Sequence, residues 1–209
     1  MTPTNVYIDG FNLYYGCIRR TPFKWLNLAK LCSQLLPSGY QIHRIRYFTA
    51  RVSGTPNNPD APTRQQIYLR ALRTLPNVSI SYGRFLTTKT MMPLADPPPS
   101  GPKFVRVIKT EEKGSDVNFA SHLLLDAFRN DASAAFVVSN DSDLLEPIRI
   151  VRQQFALKVG LACPHQRPSL VLVPEVDFLR TIREGVLRAS QFATTLTDAK
   201  GTFSKPSTW

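Results

Sequence analysis

Apolar residues gather along the chain in short runs, and between those runs they recur at helical spacing. Val6 to Ile8, Ile42 to Phe48, Val78 to Tyr82, Phe104 to Ile108, Ala135 to Ser139 and Leu157 to Ala162 read as buried strands. Trp25 to Leu36, Thr63 to Leu75, Asp116 to Arg129 and Asp143 to Phe155 read as amphipathic helices. Alternation of this length requires crossover connections, which predicts an α/β fold with a mostly parallel central sheet flanked by helices on both faces. Two stretches break the pattern, VSGTPNNPDAPT at 52–63 and TTKTMMPLADPPPSGP at 87–102. Their Pro, Gly and Asn content predicts surface flaps without regular structure, and the alternation resumes after each. From Asp177, DFLRTIREGVLRASQF predicts a last helix with Phe178, Ile182 and Val186 on one face, weakened by Gly185. The pattern predicts a single domain over 1–192, with a polar tail at 193–209 that either lies over the surface or is disordered, Phe203 and Trp209 being its candidate anchors.

An apolar fraction of 43% and a charged fraction of 20% belong to a folded chain with one substantial core. No run reaches a membrane span and no signal-peptide core precedes the first strand, so a soluble, cytoplasmic protein without a membrane partner is expected. Cys17, Cys32 and Cys163 are odd in number and widely spaced, which argues for free thiols over a disulfide framework or a zinc site. The charge changes the picture more. Lys and Arg number 26 against 15 Asp and Glu, a net charge of +11. Arg44, Arg46, Arg51, Arg64, Arg70 and Arg73 share a stretch whose one acid is Asp60, and Arg149, Arg152, Lys158 and Arg167 form a second basic run. Either these solvate the surface or they meet a polyanion; the overall imbalance favours a nucleic acid, and Arg44, Arg46, Arg51 and Arg64 are the candidate contacts.

Against that background the acids stand out by position. Ligands of an open parallel sheet gather beyond the carboxyl ends of its strands. Asp9 follows the first strand, Asp141 and Asp143 follow Ala135 to Val138 within SNDSD, and KTEEKGSD carries Glu112 and Asp116 after Phe104 to Ile108. Each has a structural alternative: Asp143 with Glu146 fits a capping box, and Asp116 fits a cap or first-turn acid. Asp9 is harder to explain, since Gly10 and Phe11 do not start a well-capped helix. Carboxylates from three strands at one edge repel unless a cation holds them. Oxygen ligands without nearby His or Cys suit Mg²⁺ or Mn²⁺. Asn12, Ser139 and Asn140 are candidates to orient the acids, or are ordinary turn residues. His43, His122 and His165 are scattered and read as surface or core residues. With no acyl-transfer or P-loop motif present, metal-assisted phosphodiester hydrolysis remains.

VYIDGFNLYYG, EEKGSDVNFASHLLLDA and FVVSNDSDLLEPIR, in that order, resemble the NYN domains of the PIN-like nuclease superfamily, over roughly residues 4–185. The resemblance implies a PIN-like, Rossmann-like sandwich with an acidic metal-binding crevice and an RNA-cleaving activity. Its acids fall on Asp9, Asp116, Asp141 and Asp143, with Glu112 as a partner holding an acid from behind and Lys113 balancing charge or touching phosphate. The reading is thus a Mg- or Mn-dependent ribonuclease acting on single-stranded or structured RNA, with Phe11, Tyr14 and Tyr15 either stacking on bases or packing the rim, and with a homo-oligomer left open. The alternative is a non-catalytic RNA-binding or regulatory module that keeps the crevice. A haloacid dehalogenase-type phosphatase also starts from a strand-end Asp, but needs an acid where Phe11 stands.

Overall fold

A computed structural model describes residues 1–209 and places the first strand at the middle of the sheet. β1 (Thr2–Asp9), β2 (Tyr40–Ala50), β3 (Val78–Pro93), β4 (Phe104–Lys113), β5 (Ala134–Val138), β6 (Lys158–Cys163) and β7 (Phe178–Thr181) run in the order β4-β3-β2-β1-β5-β6-β7. Every pairing is parallel except β3 with β4. Helices α1 (Gly10–Leu13), α2 (Leu28–Leu35), α3 (Ala61–Leu72), α4 (Ser115–Phe128), α5 (Leu145–Phe155) and α6 (Glu184–Ala189) supply the crossovers and edges.

The central strands are apolar on both faces because both are covered. Val6, Ile8, Phe136 and Val138 point into one core with Leu28, Leu31, Leu69 and Leu72 from α2 and α3. Tyr7, Ala135 and Val137 point the other way, against Phe119 and Leu123 of α4 and Ile148 and Val151 of α5. Successive residues of one strand serving opposite cores is the period-two rule of a pleated strand.

Three expectations are corrected. The stretch 87–102 is not a structureless flap: β3 continues to Pro93 and pairs antiparallel with β4 over ten rungs, from Arg84 with Lys113 to Pro93 with Phe104. Thr87, Thr88 and Thr90 on β3 and Val107, Ile108 and Thr110 on β4 are good strand formers, and the prolines are confined to the tip of this arm. Residues 178–181 form β7 beside β6, and only Glu184–Ala189 is helical. The Phe178 ring stacks on Phe136, 5.8 Å between centroids, so packing overrides the helical spacing of Phe178, Ile182 and Val186.

The third correction concerns Arg44 and Arg46. Arg46 is buried, and its guanidinium gives Asp126 two hydrogen bonds of 2.6 Å, while the Tyr7 hydroxyl donates to the same carboxylate at 2.9 Å. A guanidinium so engaged cannot reach a phosphate. Arg44 pairs with Asp131 at 3.3 Å. It lies four residues before Phe48, the partner of Asp9, which at ~3.3 Å per residue sets it about 13 Å from the carboxyl edge. The second basic run is also engaged in part, since Arg149 pairs with Glu175 and Arg152 with Glu175 and Asp177.

The polar stretch after Ala193 is ordered as a hairpin, β8 (Thr195–Asp198) and β9 (Gly201–Ser204). Trp25 donates its indole N–H to the carbonyl of Ala193 at 2.7 Å, and its ring meets Phe203 and Trp209 edge-on at 6.4 and 6.5 Å. Arg70 grips Asp198 through two hydrogen bonds and lies 4.1 Å above the Phe203 ring. All three cysteines are free thiols. No helix is long and apolar enough to cross a membrane.

Candidate metal centre

Asp9, Asp116 and Asp141 each bring a carboxylate oxygen within 4.8 Å of the others. Oxygens that share one octahedral Mg²⁺ at about 2.1 Å stand roughly 3–4 Å apart, so closing this set on an ion needs a shift of about 1 Å. The all-oxygen donor set fits a hard cation. Asp143 stands outside the set of three, exposed, yet near enough for its charge to bear on Asp116.

Local structure explains each placement. Asp9 ends β1 and does cap a helix, contrary to expectation: its Oδ1 accepts from the Asn12 backbone N–H at 2.9 Å and opens the single turn of α1. Its Oδ2 accepts from the Ser139 hydroxyl at 3.1 Å. Gly10 must be glycine here, because a Cβ would sit 2.7 Å from the Phe48 carbonyl oxygen. Asp141, and not Asp143, caps the turn before α5, accepting from the Asp143 N–H at 3.0 Å. Asp116 arrives by a different route from the other two. The arm projects from the sheet and returns, so that the end of β4 lies against Gly83 at the carboxyl edge. Gly114 turns the chain with φ of 98° into α4, and the Glu112 carboxylate accepts from the Ser115 N–H at 3.2 Å. Glu112 therefore braces the helix that carries Asp116, and Lys113 is exposed beside Glu111.

The remaining candidates brace the crevice from one side. Asn12 accepts from the Asn140 N–H at 3.0 Å and lies 3.1 Å from His165 Nε2. Asn140 accepts from the Ser169 N–H and donates to the Arg167 carbonyl, tying the segment after β6 to the strand end. His165 is a site neighbour that the sequence reading leaves among scattered histidines. Its position just past β6 carries the same signal as the positions of Asp9 past β1 and Asp141 past β5.

Loss of hydration raises the Asp9 carboxyl above its ordinary value, only partly countered by its hydrogen bonds. Asp116 is pushed up to about 6 by loss of hydration and then by the charges of Asp9 and Asp141. A raised acid means that the folded chain binds more protons than the unfolded one between 3.8 and about 6. Its stabilising contribution is present below that window and lost as pH rises through it. In EDTA, wild type is expected to lose thermal stability relative to Asp116→Asn as pH rises from about 4 to about 7, and Mn²⁺ to reverse the loss. A wild-type-minus-variant difference in Tm that stays flat with pH and metal would contradict this.

The profile of the NYN domain covers residues 3–177. The chain belongs to the NYN domain family. A Pseudomonas putida protein named 6-hydroxy-3-succinoylpyridine 3-monooxygenase HspA is 31% identical, aligned over 99% of this chain and 75% of its own. The solved structure of a Vibrio parahaemolyticus protein of unknown function superimposes with a TM-score of 0.56 at 15% identity, covering 88% of this chain and 94% of its own, which is a likeness of fold.

In this NYN domain a cleft of about 450 Å³ is lined in part by Gly10 and Phe11, which follow Asp9 in the chain. Phe11 stacks on Tyr15 at 6.4 Å and meets Phe85 of the arm edge-on at 5.6 Å. Arg64 lines the cleft and donates to the Asn58 side chain. Arg51 follows β2 at the carboxyl edge with its guanidinium over the Tyr82 ring. Of the four arginines singled out in the sequence, these two stand near the crevice.

Proposed function

We propose that this NYN domain is a Mg- or Mn-dependent ribonuclease that hydrolyses RNA phosphodiester bonds in the acidic crevice. The observation that carries the reading is the convergence of Asp9, Asp116 and Asp141 within 4.8 Å in a chain of net charge +11. Those three residues would hold the ion, with Asp143 at the mouth of the crevice. A divalent ion supplies Lewis acidity there, lowering the pKa of the attacking water and offsetting charge on the scissile phosphate. Asn12 and Ser139 hold the Asp9 carboxylate, and the Asp143 N–H holds that of Asp141, so two of the three acids are oriented before any ligand arrives. Arg51 and Arg64 draw the phosphate backbone to the edge, and the exposed Tyr15 offers a stacking surface.

The direct test is single-stranded RNA incubated with the protein in Mn²⁺, in Mg²⁺ and in EDTA. Loss of full-length RNA that requires metal is expected. Degradation at the same rate in EDTA would sink the reading, and salt-sensitive binding without any cleavage would leave a binding module in its place.

A second reading rests on the Pseudomonas putida relative, whose name assigns it oxidation of a pyridine ring, together with the aromatic lining of the cleft. In that reading the cleft holds a small aromatic acid and the RNA assay stays blank. Disappearance of 6-hydroxy-3-succinoylpyridine from an aerobic mixture supplied with a reductant would favour it.

A further inference from the structure

The cleft has a chemistry that the three acids do not use. Its lining is aromatic through two contacting pairs, Tyr14 with Tyr15 and Tyr68 with Trp209. Arg19, Lys24 and Arg64 lie along it, and no Asp or Glu side chain does. None of these three cations takes part in any ion pair of the protein. The Arg19 guanidinium instead lies 5.4 Å over the Tyr15 ring. A concave site of this volume is of the size that encloses a small ligand. Unpaired cations without neighbouring acidic side chains select an anion, and aromatic rings select a planar π-system. Gly10 and Phe11 of its lining follow Asp9 directly in the chain.

We propose that the cleft is a nucleotide pocket, taking one nucleoside monophosphate unit with its base stacked on the aromatic lining of Tyr14, Tyr15 and Trp209 and its phosphate at Arg64. The proposal builds on the ribonuclease reading, to which it adds a place where one nucleotide of the strand is held. Stacking accepts any base, and Thr49, Ser53, Thr55, Asn58, Gln65 and Thr208 are the uncharged polar side chains that line the cleft.

The chain carries its own reporter. It has two tryptophans, Trp25, which is buried, and Trp209, which lines the cleft. Adenosine and uridine 5′-monophosphates are titrated in EDTA against wild type and Asp141→Asn, following intrinsic fluorescence and, in parallel, calorimetry. Saturable quenching is expected in both proteins, because the pocket does not need the metal. Trp209→Phe should lose the quench and keep the calorimetric binding. Arg64→Ala should weaken binding by about tenfold or more with an unchanged unfolding midpoint, since a charge-assisted hydrogen bond is lost. The proposal fails if neither nucleotide binds at millimolar concentration, if Arg64→Ala binds as tightly as wild type, or if ribose 5-phosphate or nicotinate binds as tightly as the nucleotides. Because the titration is run without metal, its failure is read separately from failure of RNA cleavage.

Discussion

Asp141→Asn is expected to lower Mn²⁺-dependent RNA cleavage by more than about a hundredfold while leaving the protein folded. Groups behind a metal ligand already cost ~10–100-fold when removed, and a ligand costs no less. Asparagine is the informative replacement because Asp141 has two duties. Its Oδ1 caps the turn at Ser142–Leu144 by accepting from the Asp143 N–H, and an amide oxygen does the same. What asparagine removes is the charge beside Asp9 and Asp116. Asp9→Asn is less clean, since both carboxylate oxygens already accept hydrogen bonds, from Asn12 and Ser139, and an amide would set a donor against one of them. The measurement is a cleavage rate on single-stranded RNA, with circular dichroism and unfolding midpoint as controls. A variant that retains wild-type rate with unchanged metal dependence would remove Asp141 from the site.

Asp126→Ala is expected to cost about 3–5 kcal/mol, because it strips a buried guanidinium of its partner. Arg46 loses both of its hydrogen bonds and the Tyr7 hydroxyl loses its acceptor, all between β1, β2 and α4. Against a total stability of about 5–15 kcal/mol the variant stands near the edge of folding. The double variant Arg46→Met/Asp126→Leu should recover most of the loss, since a buried ion pair replaced by apolar side chains of similar volume is often neutral. Urea unfolding of Arg46→Met, of Asp126→Leu and of the double variant gives the coupling directly. A loss below about 1 kcal/mol in Asp126→Ala would mean that the pair is solvated in solution.

How much of the molecule is legible before folding depends on how local each cause is. β1, β5 and β6 announce themselves because strands covered on both faces are continuous apolar runs. Asp9 and Asp141 are within reach because each stands at or just past the end of such a run. β7 is hidden because four residues are too few to show a period, and Phe178, Ile182 and Val186 fall on a helical face by coincidence. The arm is hidden because Pro97, Pro98 and Pro99 at its tip outweigh the threonines that build it. Arg46 looks like surface charge because Asp126, which neutralises it, lies 80 residues away. The nearness of His165 to Asn12, 153 residues apart, depends on β6 lying two strands from β1. Non-local pairing of this kind leaves no trace in any window of sequence.

The same separations set an order in time. Asp9 is made early, but the hydroxyl that braces it belongs to Ser139, 130 residues later, an interval on the order of ten seconds at the usual pace of translation. Trp25 waits longer still for Phe192, Phe203 and Trp209 to cover it. A nascent chain therefore carries its first carboxylate and its first indole uncovered while the partners of both are still unmade, and β1 stays without its β5 neighbour for as long.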